Sequence, residues 1–154
     1  MTLIDVAIIG GGASGTTTAF HLANNNKTVC ILEKTKFSTE KSCSGGMSAA
    51  VQNFFPFQLM SIVDEVITKV EFSWKNTDKV VAELSGDSPF WIVKREKLDS
   101  FLLNQAINSG CDLLTTFDVV DIKKTSNIWQ ITALDGRQIE AKAVVIADGS
   151  HSSW

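Results

Sequence analysis

Two kinds of apolar pattern run through this chain, and they predict two kinds of strand. Residues 6–9, 29–32 and 143–147 are continuous apolar runs, as expected of parallel strands buried on both faces. A short strand is read at 112–115. Elsewhere the period is two. Val66, Thr68, Val70, Phe72 and Trp74 alternate with Ile67, Lys69, Glu71 and Ser73, which predicts one half-buried antiparallel strand. Asn76-Thr-Asp78 turns into alternating Val80, Ala82 and Leu84, and residues 86–89 turn into 90–93. A second meander is read at 117–122, 129–133 and 138–141, with Asp135-Gly136 as its last hairpin turn. Helical spacing occurs twice. Ala19, Phe20, Leu22 and Ala23 mark a helix over 14–25, stopped by Asn24-Asn-Asn26. Leu98, Phe101, Leu102 and Ala106 mark another over 95–109, stopped by Gly110. Residues 34–50 read as a polar loop, and 51–66 as partly helical, interrupted at Pro56. The pattern predicts an α/β fold. Its parallel sheet is built from about 3–9, 28–33, 112–115 and 143–147, with antiparallel meanders inserted.

The first strand leads into Gly10-Gly-Gly-Ala-Ser-Gly15, where Gly10, Gly12 and Gly15 fit G-x-G-x-x-G at a strand-to-helix turn. Gly10 allows the tight turn, Gly12 lets a pyrophosphate approach the backbone, and Gly15 lets the helix pack against the strand. The helix that follows points free N–H groups and a positive dipole end at the phosphates. Glu33 ends the second apolar run, where a carboxylate accepts hydrogen bonds from ribose hydroxyls. A glycine-rich turn without a ligand leaves the position of Glu33 unexplained. The hydroxyls of Thr16, Thr17 and Thr18 fall near the same phosphate site.

Composition narrows the partners. The chain has 154 residues, 44% hydrophobic and 20% charged, with a net charge of −3. That charge gives no electrostatic reason to expect nucleic acid, and no apolar run approaches the ~20 residues that span a bilayer. No signal peptide is read at the amino terminus. Cys30, Cys43 and Cys111 are odd in number and widely spaced, which predicts reduced thiols in a cytoplasmic protein. His21 and His151 lack the neighbours of a metal site, so no metal is expected. Trp74, Trp91 and Trp129 read as core or sheet-face residues.

Taken in order, the fingerprint, the acid-ended strand, the antiparallel insertion, the arginine-led helix and the buried strand ending Asp-Gly resemble a known family. It is the FAD-dependent oxidoreductases of the glutathione-reductase-like class, in the branch holding the aromatic hydroxylases and geranylgeranyl reductases. Residues 6–33 look like the FAD fingerprint. Val93-Lys-Arg-Glu-Lys-Leu98 looks like the family's Arg-x-x-Leu/Phe-Asp helix start, and Val144-Val-Ile-Ala-Asp-Gly-Ser150 like its Ala-Asp-Gly motif. Lys41-Ser-Cys-Ser-Gly-Gly-Met-Ser48 is similar to the Pro-Cys-Gly-Gly segment of the geranylgeranyl reductases, with Ser42 in place of proline and Ser44 in place of glycine.

The resemblance implies a Rossmann-like FAD-binding domain over 1–154, the amino-terminal half of a longer fold, with an antiparallel insertion at about 66–94. It implies FAD held by Gly10, Gly12, Ala13, Ser14, Gly15, Glu33, Lys34 and backbone near Val119 at the adenosine end. Toward the flavin it implies Cys43, Gly45, Gly46, Met47, Arg95, Asp148 and Gly149. A positive residue at a helix start, such as Arg95, also calls for an anion nearby. The implied activity is flavin-mediated hydride transfer from NAD(P)H to a small-molecule substrate, an isoprenoid double bond among the candidates. No residue reads as a general acid or base. Two alternatives stay open: a nicotinamide-dependent dehydrogenase, and a truncated nucleotide-binding protein without activity. Family members are longer, so this chain alone is expected to bind FAD weakly or not at all, to catalyse nothing, and to self-associate through surface left open.

Overall fold

A computed structural model describes residues 3–36, 43, 45–84, 89–152 and 154. The chain opens with β1 (Ile4–Ile9), α1 (Ala13–Ala23) and β2 (Val29–Leu32). β3 (Gly46–Ser48) follows, then two 3-10 turns at Ala49–Phe54 and Met60–Ile62. Next come β4 (Val63–Ile67), β5 (Lys69–Trp74), β6 (Asp78–Glu83), β7 (Phe90–Val93) and α2 (Arg95–Asn108). The chain closes with β8 (Asp112–Leu114), β9 (Val119–Thr125), β10 (Ile128–Ala133) and β11 (Gln138–Ile146). It divides into two compact units, Met1–Thr39 with Asp99–Trp154, and Glu40–Leu98.

The first unit is an α/β, Rossmann-like layer around a six-stranded sheet of order β8-β2-β1-β11-β10-β9. β8, β2, β1 and β11 run parallel, and β10 and β9 continue the sheet antiparallel. The runs at 6–9 and 29–32 are buried as expected, with Ala7, Ile8 and Ile31 fully enclosed. The run at 143–147 is not: Ala143 and Ile146 are exposed, and Val144, Val145 and Ala147 half-buried. One core cluster gathers Ala7, Ile9, Cys30, Leu32, Phe117, Ile131, Ala133 and Ala141. On α1 the buried residues are Gly15, Thr16, Ala19 and Phe20, while Leu22 and Ala23 are half-buried. The stripe therefore lies one turn nearer the glycine loop than the apolar pattern suggests.

Residues 138–141 and 143–147, read as two strands, are one. β11 pairs antiparallel with β10 through Gln138–Ala141 register and parallel with β1 from Ala141 to Ile146. No turn residue separates the halves, and Lys142 points out to Asp5 at 2.7 Å. Asp5 also accepts from the Thr28 N–H and hydroxyl, both at 2.9 Å. These contacts, Lys142 foremost, hold its carboxyl well below the usual range and clip the starts of β1 and β2 to the middle of β11.

The second unit contains a three-stranded antiparallel sheet, β3-β7-β4, and the separate hairpin β5-β6. The single strand expected over 66–74 is thus broken at Thr68, with β4 pairing β7 and β5 pairing β6. Half-burial does not follow either. Phe72, Trp74, Val80 and Val81 are 61, 69, 63 and 58% exposed. Of the tryptophans, Trp91 is buried and Trp129 half-buried, whereas Trp74 is on the surface. Residues 51–66 hold 3-10 turns and a strand in place of a helix, with Pro56 between the turns. The turn over 86–89 lies outside the described residues but for Pro89. No helix among the described residues is long and apolar enough to cross a membrane.

Candidate functional site

β1, β2 and β11 end side by side, and the fingerprint lies at those carboxyl ends. Gly10 N–H donates to Leu32 O at 2.8 Å and Ala147 N–H to Ile9 O at 2.8 Å. Gly10 has φ +105°, and a Cβ there would stand 2.3 Å from Ala147 O. A Cβ on Gly15 would stand 1.9 Å from Gly10 O. Both glycines are demanded by close backbone approach, whatever binds above them. Gly12 differs. Its φ of −74° and ψ of −178° are open to any residue, and it is the N-cap of α1 with no side-chain capping bond. Glycine at this position is not a backbone requirement. The first turn of α1 carries no acidic residue, so its N–H groups and dipole end present a site for an anion.

Glu33 follows β2 and turns back to that loop. Its Oε2 accepts from Gly11 N–H at 2.8 Å. Its Oε1 accepts from the Thr35 N–H at 3.0 Å and hydroxyl at 2.8 Å. The Glu33 main chain is tied to the neighbouring segment, donating to Leu114 O at 2.9 Å and accepting from Phe117 N–H at 2.9 Å. The structure therefore brings Gly10, Gly12, Gly15, Glu33 and the Ala147-Asp148 backbone to one end of one sheet. Ala13 is half-buried and Ser14 exposed in the first turn of α1; Lys34, Asp148 and Gly149 are exposed. Val119 begins β9 and packs against the core cluster.

Thr16 and Thr18 spend their hydroxyls on carbonyls of the preceding turn. Thr16 Oγ1 donates to Gly12 O at 2.9 Å and Thr18 Oγ1 to Ser14 O at 2.8 Å, bonds to the preceding turn that satisfy a buried or helical hydroxyl. Thr16 is fully enclosed.

Cys43, Gly45, Gly46, Met47 and Arg95 belong to the second unit. Cys43 is exposed and accepts from Gly45 N–H at 3.5 Å; Ser42 and Ser44 lie outside the described residues. Gly45, with φ +73°, has room for no Cβ, which would meet Val93 O at 1.8 Å. A Cβ on Gly46 would meet the Phe90 ring at 2.6 Å. Met47 lies in β3, opposite Trp91. These glycines have a packing reason within their own sheet. Arg95 is the first residue of α2. The anion expected at that helix start has a candidate in Asp64, placed where the β4–β7 register shifts between Val63 and Glu65. Asp64 accepts from Lys97 Nζ at 2.5 Å and Lys94 N–H at 3.0 Å, and the lysine holds its carboxyl below the usual range. Thr35, Gly11 and Asp64 carry no motif signal in the sequence. Their roles come from spacing that only the fold creates.

Residues 4–153 match the family of pyridine nucleotide-disulphide oxidoreductases. An uncharacterised protein of Methanosarcina barkeri is 28% identical over 152 residues, 98% of this chain and 38% of the relative. A geranylgeranyl bacteriochlorophyll reductase-like structure from Thermoplasma acidophilum superimposes with a TM-score of 0.80 at 21% identity, over 97% of this chain and 40% of that one. A variant of the halogenase PltM in complex with FAD has a TM-score of 0.74 at 17% identity, over 99% of this chain and 35% of that one. The chain thus spans well under half the length of these proteins.

Proposed function

Since the chain belongs to the pyridine nucleotide-disulphide oxidoreductase family, we propose that it is the FAD-binding part of a flavin-dependent oxidoreductase. The observation that carries this reading is the α1 amino terminus, capped by a conformationally unconstrained Gly12 and faced by Glu33 across the Gly11 N–H. The α1 N–H groups would hold its pyrophosphate, with Gly12 keeping side-chain atoms out of the way. Glu33 would take the adenosine ribose, and backbone near Val119 would border the adenine. Lys34, Ala13, Ser14, Asp148 and Gly149 line the same strand ends. Family likeness assigns Arg95, Cys43, Gly45, Gly46 and Met47 to the flavin side.

FAD, when bound, supplies hydride transfer between a nicotinamide and a substrate carbon. The chain's own residues bind and orient it; none is assigned a proton-transfer role. The finer reading, reduction of an isoprenoid double bond with NAD(P)H as donor, rests on the Cys43-Ser-Gly-Gly46 segment. Buried Cys30 and Cys111 thiols accord with a reducing, cytoplasmic setting.

The test is calorimetric titration of FAD into the wild type and Gly12→Val. Valine adopts the Gly12 backbone conformation without strain, so the variant is expected to fold and to lose FAD binding. Equal affinity in the two proteins would sink the reading. Titration with NAD in parallel separates the dehydrogenase alternative, which predicts tighter NAD than FAD binding.

A further inference from the structure

We propose that Thr35 is a positioning residue, holding the Glu33 carboxylate in the orientation that selects a ribose hydroxyl. The inference rests on the dinucleotide reading of the glycine loop. A glutamate side chain has three torsions and several rotamers to lose on ordering. Left to itself after the end of a strand, it gains no directional preference. Here Glu33 is gripped at both oxygens by this chain's own groups. Oε2 accepts from Gly11 N–H at 2.8 Å. Oε1 accepts from Thr35 N–H at 3.0 Å and Thr35 Oγ1–H at 2.8 Å. A carboxylate oxygen offers about two lone-pair positions. The two Thr35 donors take those of Oε1, which turns Oε2 toward the glycine loop.

The grip has a rigid base. Glu33 is bonded through its main chain to Leu114 and Phe117, and Thr116 N–H donates to Thr35 O at 3.5 Å. Phe117 is fully buried in the core cluster. The torsion that Thr35 controls therefore belongs to the Glu33 side chain, while the backbone is set independently. Removing the Thr35 hydroxyl leaves the backbone N–H contact, the strand and the core in place, and loosens one charge-assisted hydrogen bond. Such bonds are roughly twice as strong as neutral ones. The expected consequence is confined to what Glu33 does: discrimination by the 2′-hydroxyl of a ribose.

The experiment titrates ADP and 2′-deoxy-ADP into the 154-residue chain and its variants by calorimetry. The wild type is expected to prefer ADP by about tenfold, the worth of one hydrogen bond to a charged group. Thr35→Val, which keeps the branched shape, is expected to cut that preference by about threefold or more, with a fall in melting temperature of no more than a few degrees. Thr35→Ser restores it. In a Glu33→Gln background Thr35→Val should change nothing further. Equal weakening of both ligands by Thr35→Val, or an undiminished preference, overturns the proposal while leaving the site reading standing. A wild type that binds both nucleotides equally overturns the assignment of the ribose to Glu33, and Thr35's role with it. A wild type that binds neither, or a Gly12→Val chain that binds both unchanged, overturns the dinucleotide site itself.

Discussion

At the scale of single residues, the glycines of one loop fall into two tolerances: Gly10 and Gly15 are held by close backbone approach, and Gly12 is not constrained by its backbone conformation. Gly10 combines φ +105° with a Cβ position 2.3 Å from Ala147 O. Gly10→Ala should therefore lose about 3 kcal/mol of stability, from strain and overpacking together, read as a lower urea midpoint at unchanged slope. Gly12→Val should lower the midpoint far less, by the cost of a poor N-cap, and remove ligand binding. The motif was visible in the sequence, but this split was not, because it depends on what passes above each Cα. The cysteines divide similarly. Burial pushes the Cys30 thiol up to about 12 and the Cys111 thiol up to about 11, whereas Cys43 is exposed. Since the thiolate is the nucleophile, a maleimide at mildly alkaline pH should modify Cys43 quickly in the native protein, and the other two only after unfolding. Rapid labelling of all three in the native chain would contradict the packing of β2.

At the scale of elements, β1 and β2 are legible because burial on both faces leaves a continuous apolar run, whereas the apolar run at 143–147 marks a parallel strand that stays half-buried to exposed. The antiparallel ones were legible in kind but not in partner. Alternation at 66–74 marks extended chain, yet nothing in a period of two says that Thr68 separates two sheets or that one face stays bare. β11 was read as two strands because its apolar pattern changes where its neighbour changes from β10 to β1. The Asp5 clip is another element-level feature without a sequence signature, since Thr28 and Lys142 are distant in the chain. It carries a pH dependence whose sign is fixed. The folded-state pKa of Asp5 lies below its unfolded value of about 3.9, so its contribution is present at neutral pH. That contribution is lost as the pH falls through the unfolded value toward the folded one. Asp5→Asn should melt below the wild type at pH 7, and the gap should close progressively below about pH 4. A gap that stays constant with pH would show that the Lys142 and Thr28 contacts do not discriminate the charged carboxyl.

At the scale of the whole molecule, the surface that stands out is the β5-β6 hairpin. Lys69–Glu83 at 2.9 Å and Lys79–Glu71 at 2.8 Å occupy one face. Such exposed pairs contribute little stability, but they keep that face wetted. The other face carries Val70, Phe72 and Trp74 opposite Ala82, Val80 and Asp78, and its large members are more than half exposed. A two-stranded hairpin is at best marginally stable alone in water. With aromatic side chains of about 150–250 Å² each, the uncovered apolar area is on the order of 400 Å², at the upper end of what monomers expose. A second copy of this chain laid face to face would bury about 800 Å² in total, short of the ~1,200 Å² of a standard stable interface. The expected outcome is weak, reversible dimerisation. Sedimentation velocity over a concentration series should show an average mass rising smoothly from the monomer value. Phe72→Lys with Trp74→Lys removes the apolar centre without touching any buried residue, and should hold the chain monomeric at unchanged melting temperature. Trp74 supplies an independent check: its fluorescence should shift to the blue with concentration in the wild type and in Phe72→Ala only at higher concentration. A wild type that remains monomeric throughout, with invariant emission, would show that the bare face is tolerated in water and that the hairpin needs no cover.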